Sequence, residues 1–116
     1  MAEYLGIEPP SAALGVLQDI HWGSGLFGYF PTYALGNVMA VQLSDAARRA
    51  GAGTPEQFAK GEFAPLLGWM REHVHTLGRK FPPQVVLERA TGRRLTAEPY
   101  IAYLTEKYGA LYGLGG

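Results

Sequence analysis

Hydrophobic residues recur every three or four positions along much of this chain, which is the spacing of one face of an α-helix. The clearest stripe runs from residue 63 to residue 77 and is followed by Gly78, a residue type that commonly ends a helix. Its members are Phe63, Leu66, Leu67, Met70, Val74 and Leu77. A longer helix is predicted from Pro31 to about residue 50, because proline is favoured in a first helical turn. Its inward face would comprise Leu35, Val38, Met39, Gln42 and Ala46.

Proline, glycine and capping residues mark the other helix boundaries. Thr54-Pro55-Glu56-Gln57 predicts a helix start, with Thr54 and Gln57 forming a capping box. Residues 2–5 are predicted to be the end of a helix that Gly6 terminates, and residues 11–22 to form a helical turn with Ser11 as its N-cap. A short helix is predicted from Pro82 or Pro83 to residue 91, closed by Gly92. A last helix follows Thr96, with an inward face of Ile101, Leu104, Tyr108 and Leu111. No segment alternates with a period of two, apart from a short extended piece expected near residues 23–30. The pattern therefore predicts an all-α chain of about four to six helices, forming a single helical unit over residues 1–116.

Composition narrows the class of protein. The 116 residues are 47% hydrophobic, which is typical of a globular domain. Ten Lys and Arg residues balance ten Asp and Glu residues, so we expect no nucleic-acid partner. No segment approaches the roughly 20 apolar residues of a membrane helix, and no signal-peptide pattern follows Met1. The absence of cysteine is compatible with a cytoplasmic location, which we expect for this protein.

Residues 15–36 hold most of the candidate chemistry. Polar and aromatic side chains of the types that orient and polarise a substrate lie close together in this glycine-rich segment: Gln18, Asp19, His21, Trp22, Tyr29 and Tyr33. Trp22, Phe27 and Phe30 are suited to exclude water from them. Each residue also has a structural interpretation: a core histidine, a helix-capping aspartate, a surface amide, or aromatic rings that only pack.

The same segment carries a resemblance to a known family. The sequence Gly15-x-x-Gln18-Asp19-x-His21-Trp22, followed by Phe27-Gly28-Tyr29-Phe30-Pro31-Thr32-Tyr33-Ala34-Leu35-Gly36-Asn37, resembles a signature of the carboxypeptidase Taq family. Similar stretches follow at Met70-Arg71-Glu72-x-Val74-His75-x-x-Gly78-x-Lys80-Phe81-Pro82-Pro83, at Arg89-Ala90-Thr91-Gly92 and at Glu98-Pro99-Tyr100-x-x-Tyr103-Leu104. Members are zinc-dependent metallocarboxypeptidases that release single residues from peptide C-termini. The resemblance, over residues 1–108, implies the C-terminal part of a much longer helical enzyme.

The resemblance implies roles for the candidate residues. His21 and Tyr29 would be the catalytic pair, donating hydrogen bonds to a developing oxyanion or to the terminal carboxylate of a peptide substrate. Gln18 and Asp19 would bind substrate and orient that pair, and Trp22 and Tyr33 would also contact the substrate.

Zinc would belong to the complete enzyme, where the family binds it through His-Glu-x-x-His and a downstream glutamate. Two such ligands on one helix face must lie about four residues apart. The three histidines here, His21, His73 and His75, do not have that spacing, so we expect this chain alone to bind no metal and to hydrolyse nothing. Its expected partner is the N-terminal zinc-binding part of the enzyme. A non-catalytic helical module that binds a peptide or a partner protein is the alternative, and a homodimer is a further option.

Overall fold

A computed structural model describes residues 2–114 of the chain, without the side chain of Leu5. The described residues form seven α-helices and three 3-10 helices and contain no strand, which confirms the all-α prediction. The α-helices are α1 (Ala2–Leu5), α2 (Ile20–Gly23), α3 (Pro31–Arg49), α4 (Pro55–Ala59), α5 (Ala64–His73), α6 (Pro83–Thr91) and α7 (Glu98–Tyr112). The 3-10 helices are Ala12–Leu14, Val16–Gln18 and His75–Leu77. None of the described helices has the length and apolarity needed to cross a membrane.

The chain folds as two compact units, one that ends at Tyr33 and one that begins at Ala34. The single helical unit expected over residues 1–116, which includes positions outside the described range, stays a prediction.

The first unit consists of short turns rather than the continuous helical turn predicted over residues 11–22. Ser11 caps the first 3-10 helix, since its hydroxyl accepts a hydrogen bond from the Leu14 N–H at 3.3 Å. Asp19 ends the second 3-10 helix and caps α2, and the two caps divide the segment into separate turns. Residues 24–30 form turns and not the expected extended piece, with Gly25 and Gly28 in the left-handed region at φ of 74° and 71°.

The helix boundaries of the second unit follow the predicted capping residues. The Thr54 hydroxyl accepts from the Gln57 N–H at 3.4 Å, and the Gln57 side chain accepts from the Thr54 N–H at 3.1 Å, which confirms the capping box. Pro83 begins α6, and Gly92 ends it in the left-handed conformation. These boundaries depend on local chemistry, which explains why the sequence indicated them.

The core of the second unit is built around Trp69 and small residues. Its buried members are Ala46, Ala47, Ala52 and Trp69, with Leu43, Leu66, Met70, Val74 and Ala90 packed against them. The predicted stripe of α5 was wrong in detail, because Phe63 is 60% exposed whereas Trp69 is only 8% exposed. The alanines of α3 leave space that the indole ring fills. In addition, α5 ends at His73 and a 3-10 helix follows, so the predicted stripe extends beyond the α-helix.

Gln42 is the one buried polar residue of the described chain, at 3% exposure. Its side-chain amide donates to the Arg94 carbonyl oxygen at 3.0 Å and accepts from the Thr96 N–H at 3.1 Å. The single amide therefore satisfies two backbone groups more than fifty residues away and fixes the segment before α7 against α3.

The predicted inward face of α7 is mostly exposed. Leu104 is half-buried, but Ile101, Tyr108 and Leu111 are exposed, Leu111 at 66%. Within the described residues no further helix covers this side of α7, so the spacing of apolar positions did not translate into burial.

Candidate active-site cluster

Asp19 organises the candidate site through two hydrogen bonds to one residue. As the N-cap of α2 it accepts the backbone N–H of His21 on Oδ1 at 2.8 Å. The same oxygen lies 2.8 Å from Nδ1 of the His21 ring. Because the cap fixes where α2 begins, it also keeps the imidazole Nδ1 within hydrogen-bond distance of the same carboxylate.

Aromatic residues just before α3 and in its first turn surround the rest of the His21 ring. The Tyr33 hydroxyl lies 3.1 Å from Nε2 of His21. The Tyr29 ring stacks on the imidazole with centroids 5.6 Å apart, and Phe30 meets it edge-on at 5.4 Å. Pro31 begins α3, so Tyr33 lies in its first turn, four residues after Tyr29. That spacing brings both tyrosines to the His21 ring.

The cluster is partly open to solvent. The His21 side chain is 15% accessible, and that of Asp19 is 33% accessible. Tyr29, Phe30 and Tyr33 are exposed, Tyr33 at 53%. The two phenols are therefore more accessible to a ligand than the imidazole.

The electrostatics favour an ionised Asp19. The backbone N–H of His21 and then its side chain donate hydrogen bonds to the carboxylate, and these contacts lower the pKa of Asp19 from its ordinary value of 3.8. An ionised carboxylate has only acceptor sites, so it orients the imidazole as hydrogen-bonding carboxylates do in many sites.

The structure brings together four of the six candidate residues: Asp19, His21, Tyr29 and Tyr33. The other two point to neighbours of their own. The Gln18 amide donates to the Ala13 carbonyl oxygen at 2.6 Å, and exposed Trp22 packs on Phe27 with centroids 5.7 Å apart.

Phe30 is closer to the centre of the cluster than its residue type indicated. It was expected only to exclude water, yet its ring contacts both His21 and Tyr33, the latter at a centroid distance of 5.5 Å. Its position directly after Tyr29 and before Pro31 was the available signal.

The family model for the carboxypeptidase Taq (M32) metallopeptidases matches residues 1–108. That match covers nearly the whole chain. This chain belongs to the carboxypeptidase Taq family. The resemblance stated from the sequence is thereby confirmed.

Relatives within the carboxypeptidase Taq family share close to half of the residues. Thermostable carboxypeptidase 1 of Thermus thermophilus is 48% identical over 96% of this chain, and carboxypeptidase 1 of Bacillus subtilis is 42% identical over 95%. The crystal structure of the M32 carboxypeptidase from Deinococcus radiodurans superposes with a TM-score of 0.86 at 46% identity over 97% of this chain. The chain spans 22% of the length of the two curated relatives and 23% of the solved one.

Membership of a metallopeptidase family implies a metal, but the described residues do not fit one. Within residues 2–114, no group of three His, Cys, Asp or Glu side chains lies close enough together to hold a metal ion. The nitrogens of His21 engage Asp19 and Tyr33, and Nδ1 of His73 bonds to the Trp69 carbonyl oxygen at 3.0 Å. A zinc site needs three or four protein ligands, and the donors described here do not form such a set.

Proposed function

We propose that this chain is a segment of a zinc-dependent metallocarboxypeptidase, an enzyme that releases single residues from peptide C-termini, and that it supplies substrate-contacting residues. Family membership supports the enzyme class. The observation that carries the specific role is the pairing of His21 with Asp19 on one side and tyrosines on the other. Zinc would be bound by residues of the longer polypeptide outside this chain, which would be the partner of the segment.

In this proposal the segment acts by hydrogen bonding rather than by covalent chemistry. His21 and Tyr29 would stabilise negative charge on a substrate oxygen, either the developing oxyanion or the terminal carboxylate. Asp19 would hold the imidazole in place, and Tyr33 would contact the substrate directly. Gln18 and Trp22 remain proposed substrate contacts at the edge of the cluster.

The test is a pair of substitutions in a complete family enzyme that carries this segment. His21→Ala and Tyr29→Phe should each lower kcat by about a hundredfold to a thousandfold, the usual effect of removing one oxyanion donor. Zinc content should stay unchanged, because neither side chain is proposed as a ligand. Tyr4→Phe is the matched control, since Tyr4 is 84% exposed and lies outside the cluster. Unchanged turnover in both cluster variants would end the assignment.

The isolated chain is proposed to be inactive. The measurement is the zinc content of the purified chain by mass spectrometry, after incubation with excess metal and exhaustive dialysis, together with hydrolysis of a C-terminally blocked and an unblocked peptide. We expect no retained zinc and no hydrolysis of either peptide. About one zinc per chain with release of the C-terminal residue would contradict the proposal.

A non-catalytic binding module is the second candidate, and one observation favours it. The second unit has an open cleft of about 590 Å³, lined mainly by apolar side chains that include Met39, Leu43, Val74 and Val86. Such a cleft is suited to an apolar segment of a peptide or partner. Restoration of peptidase activity when the chain is mixed with the zinc-binding part of a family enzyme would favour the enzyme segment. Binding of a peptide without such complementation would favour the module. A stable homodimer with no affinity for peptide would favour the further option, a dimerisation domain.

A cytoplasmic location is also part of the proposal, and the absence of cysteine is compatible with it. Fractionation of cells that express the chain at its natural level would test it.

A further inference from the structure

The second unit has an open groove along α3 with small side chains on its floor. Ala40 and Ser44 of α3 line two neighbouring clefts, one of about 520 Å³ toward α7 and one of about 290 Å³ toward α4 and α5. Both residues are exposed, whereas Gln42, Ala46 and Ala47 of the same helix are buried. Because the two clefts share this floor, they form one surface, which we call the α3 groove.

Aromatic and aliphatic side chains form the two walls of the α3 groove. On one side Tyr103 and Tyr108 of α7 line the larger cleft, and they are 41% and 39% exposed. On the other side Phe58 of α4, which is 45% exposed, lines the smaller cleft together with Leu66 and Met70 of α5. Contiguous apolar surface of this kind is rare on a protein that has no partner there, so the groove lacks part of its packing.

The dimensions of the α3 groove suit one α-helix. Its floor extends from Asn37 to Arg48, which is about three helical turns or roughly 17 Å. Ala40 and Ser44 are four residues apart and therefore lie on one face of α3. Their small side chains allow a second helix to approach α3 to the usual interaxial distance of about 8–10 Å.

The charge of the α3 groove favours an apolar occupant. Arg48 lies at one end of the floor and forms an ion pair with Asp45 of its own helix, so this charge is already balanced. The walls offer mainly rings and aliphatic carbons. An amphipathic helix that turns its apolar face toward α3 matches this surface better than a charged ligand does.

The length of the family polypeptide indicates where such a helix comes from. The chain spans less than a quarter of the length of the relatives that it matches, so most of the polypeptide of a family member lies outside it. We propose that the α3 groove holds an α-helix from that outside part, packed on Ala40 and Ser44 between the two walls. This proposal rests on the proposed function, because the occupant belongs to the same enzyme, and it adds the surface at which the two parts meet.

The first test uses thiols, since the chain has no cysteine of its own. Ala40→Cys and Ala102→Cys are a matched pair of substitutions at exposed alanines. Ala102 lies about 160° around α7 from Leu104, which lines the groove, and so it points away from the groove. The measurement is the rate of alkylation by iodoacetamide, followed by peptide mass spectrometry, in the 116-residue chain and in a complete family enzyme that carries this segment.

We expect the thiol of Ala40→Cys to react about tenfold or more slowly in the complete enzyme than in the chain alone, because a buried thiol is largely inert. The thiol of Ala102→Cys should react at similar rates in both. Equal reactivity of the two thiols in the complete enzyme would overturn the proposal, whether or not the short chain folds unaided. Protection of Ala40→Cys in the chain alone that increases with its concentration would also overturn it, since the occupant would then be a second copy.

The second test fills the α3 groove from its floor. Ala40→Trp places an indole ring in open space in the 116-residue chain, but in the complete enzyme the ring should collide with the docked helix. We expect urea unfolding of the complete enzyme to show an unfolding equilibrium that is about fivefold to a hundredfold less favourable to the folded state, the usual range for overpacking. Ala102→Trp is the control and should change it by no more than about twofold. Equal effects of the two tryptophans would contradict the proposal.

The outcomes separate this proposal from the function on which it rests. An unprotected thiol in Ala40→Cys, in an enzyme whose turnover depends on His21 and Tyr29, would refute the docked helix and leave the proposed function standing. A protected thiol together with full turnover of His21→Ala and Tyr29→Phe would refute the role assigned to those two residues and leave the docked helix standing.

Discussion

Replacement of Gln42 by methionine keeps the length of a buried side chain but removes both of its hydrogen bonds. The Arg94 carbonyl and the Thr96 N–H then lose their partner. An unsatisfied buried polar group costs about 1–3 kcal/mol, but Arg94 is exposed and water can replace the amide at its carbonyl. We therefore expect a net loss of about 2 kcal/mol in the free energy of unfolding, roughly a thirtyfold change in the unfolding equilibrium.

Glutamate at position 42 should make the free energy of unfolding depend on pH. An ionised carboxylate at 3% exposure has no hydrogen for the Arg94 carbonyl oxygen, so burial and the missing donor should raise its folded pKa above the unfolded value of about 4.3. A raised folded pKa contributes stability below the unfolded pKa, and that stability is lost as the pH rises through the folded pKa. The free energy of unfolding of Gln42→Glu should therefore be closest to that of the unmodified chain at about pH 4, and it should decrease relative to the unmodified chain toward pH 7.

The assay is urea unfolding followed by far-ultraviolet circular dichroism, which reports directly on an all-α chain. Gln84→Met is the matched control, because Gln84 is exposed on α6 and its replacement should change stability by less than about 0.5 kcal/mol. The reasoning would be refuted if the free energy of unfolding of Gln42→Met differed from that of the unmodified chain by less than the same margin of about 0.5 kcal/mol, with an unchanged slope against urea concentration. The two hydrogen bonds would then not contribute to stability.

Two further predictions concern the core and the cluster. Leu87→Ala should lower the free energy of unfolding in urea by about 2–5 kcal/mol because Leu87 is 1% exposed, whereas Leu111→Ala, at a 66% exposed position, should change it little. A loss below about 1 kcal/mol for Leu87→Ala would contradict the packing around Leu87. Because its hydrogen bonds from His21 lower the pKa of Asp19, the ionised Asp19 carboxylate stabilises the folded chain at pH values above the unfolded pKa. That stabilisation is lost as the pH falls through the folded pKa. In a carboxyl ¹³C titration the Asp19 pKa should stay low in His21→Ala, since the backbone N–H is the largest cause; full return to the ordinary value would show that the ring dominates.

Much of the candidate site could be anticipated from residue types alone. Asp19, His21, Tyr29 and Tyr33 were singled out from a dense polar and aromatic segment, and they lie together in the structure. The sequence could not indicate that Gln18 turns back to Ala13, because a side-chain amide has many backbone partners within reach. Nor could it indicate that Nε2 of His21 is already engaged by Tyr33, since that depends on how the turns of residues 24–30 fold back.

The sequence by itself determined the helical class and most helix boundaries, because capping boxes, first-turn prolines and left-handed glycines act within a few residues of one another. Thr54 bonds to Gln57 three residues on, Pro83 occupies the first position of α6, and the Gly92 N–H donates to the Glu88 carbonyl oxygen. Only the tertiary structure decided which apolar residues are buried. Trp69 is buried and Phe63 is not, because burial depends on the small alanines that α3 presents across the core, and no periodicity along α5 contains that information.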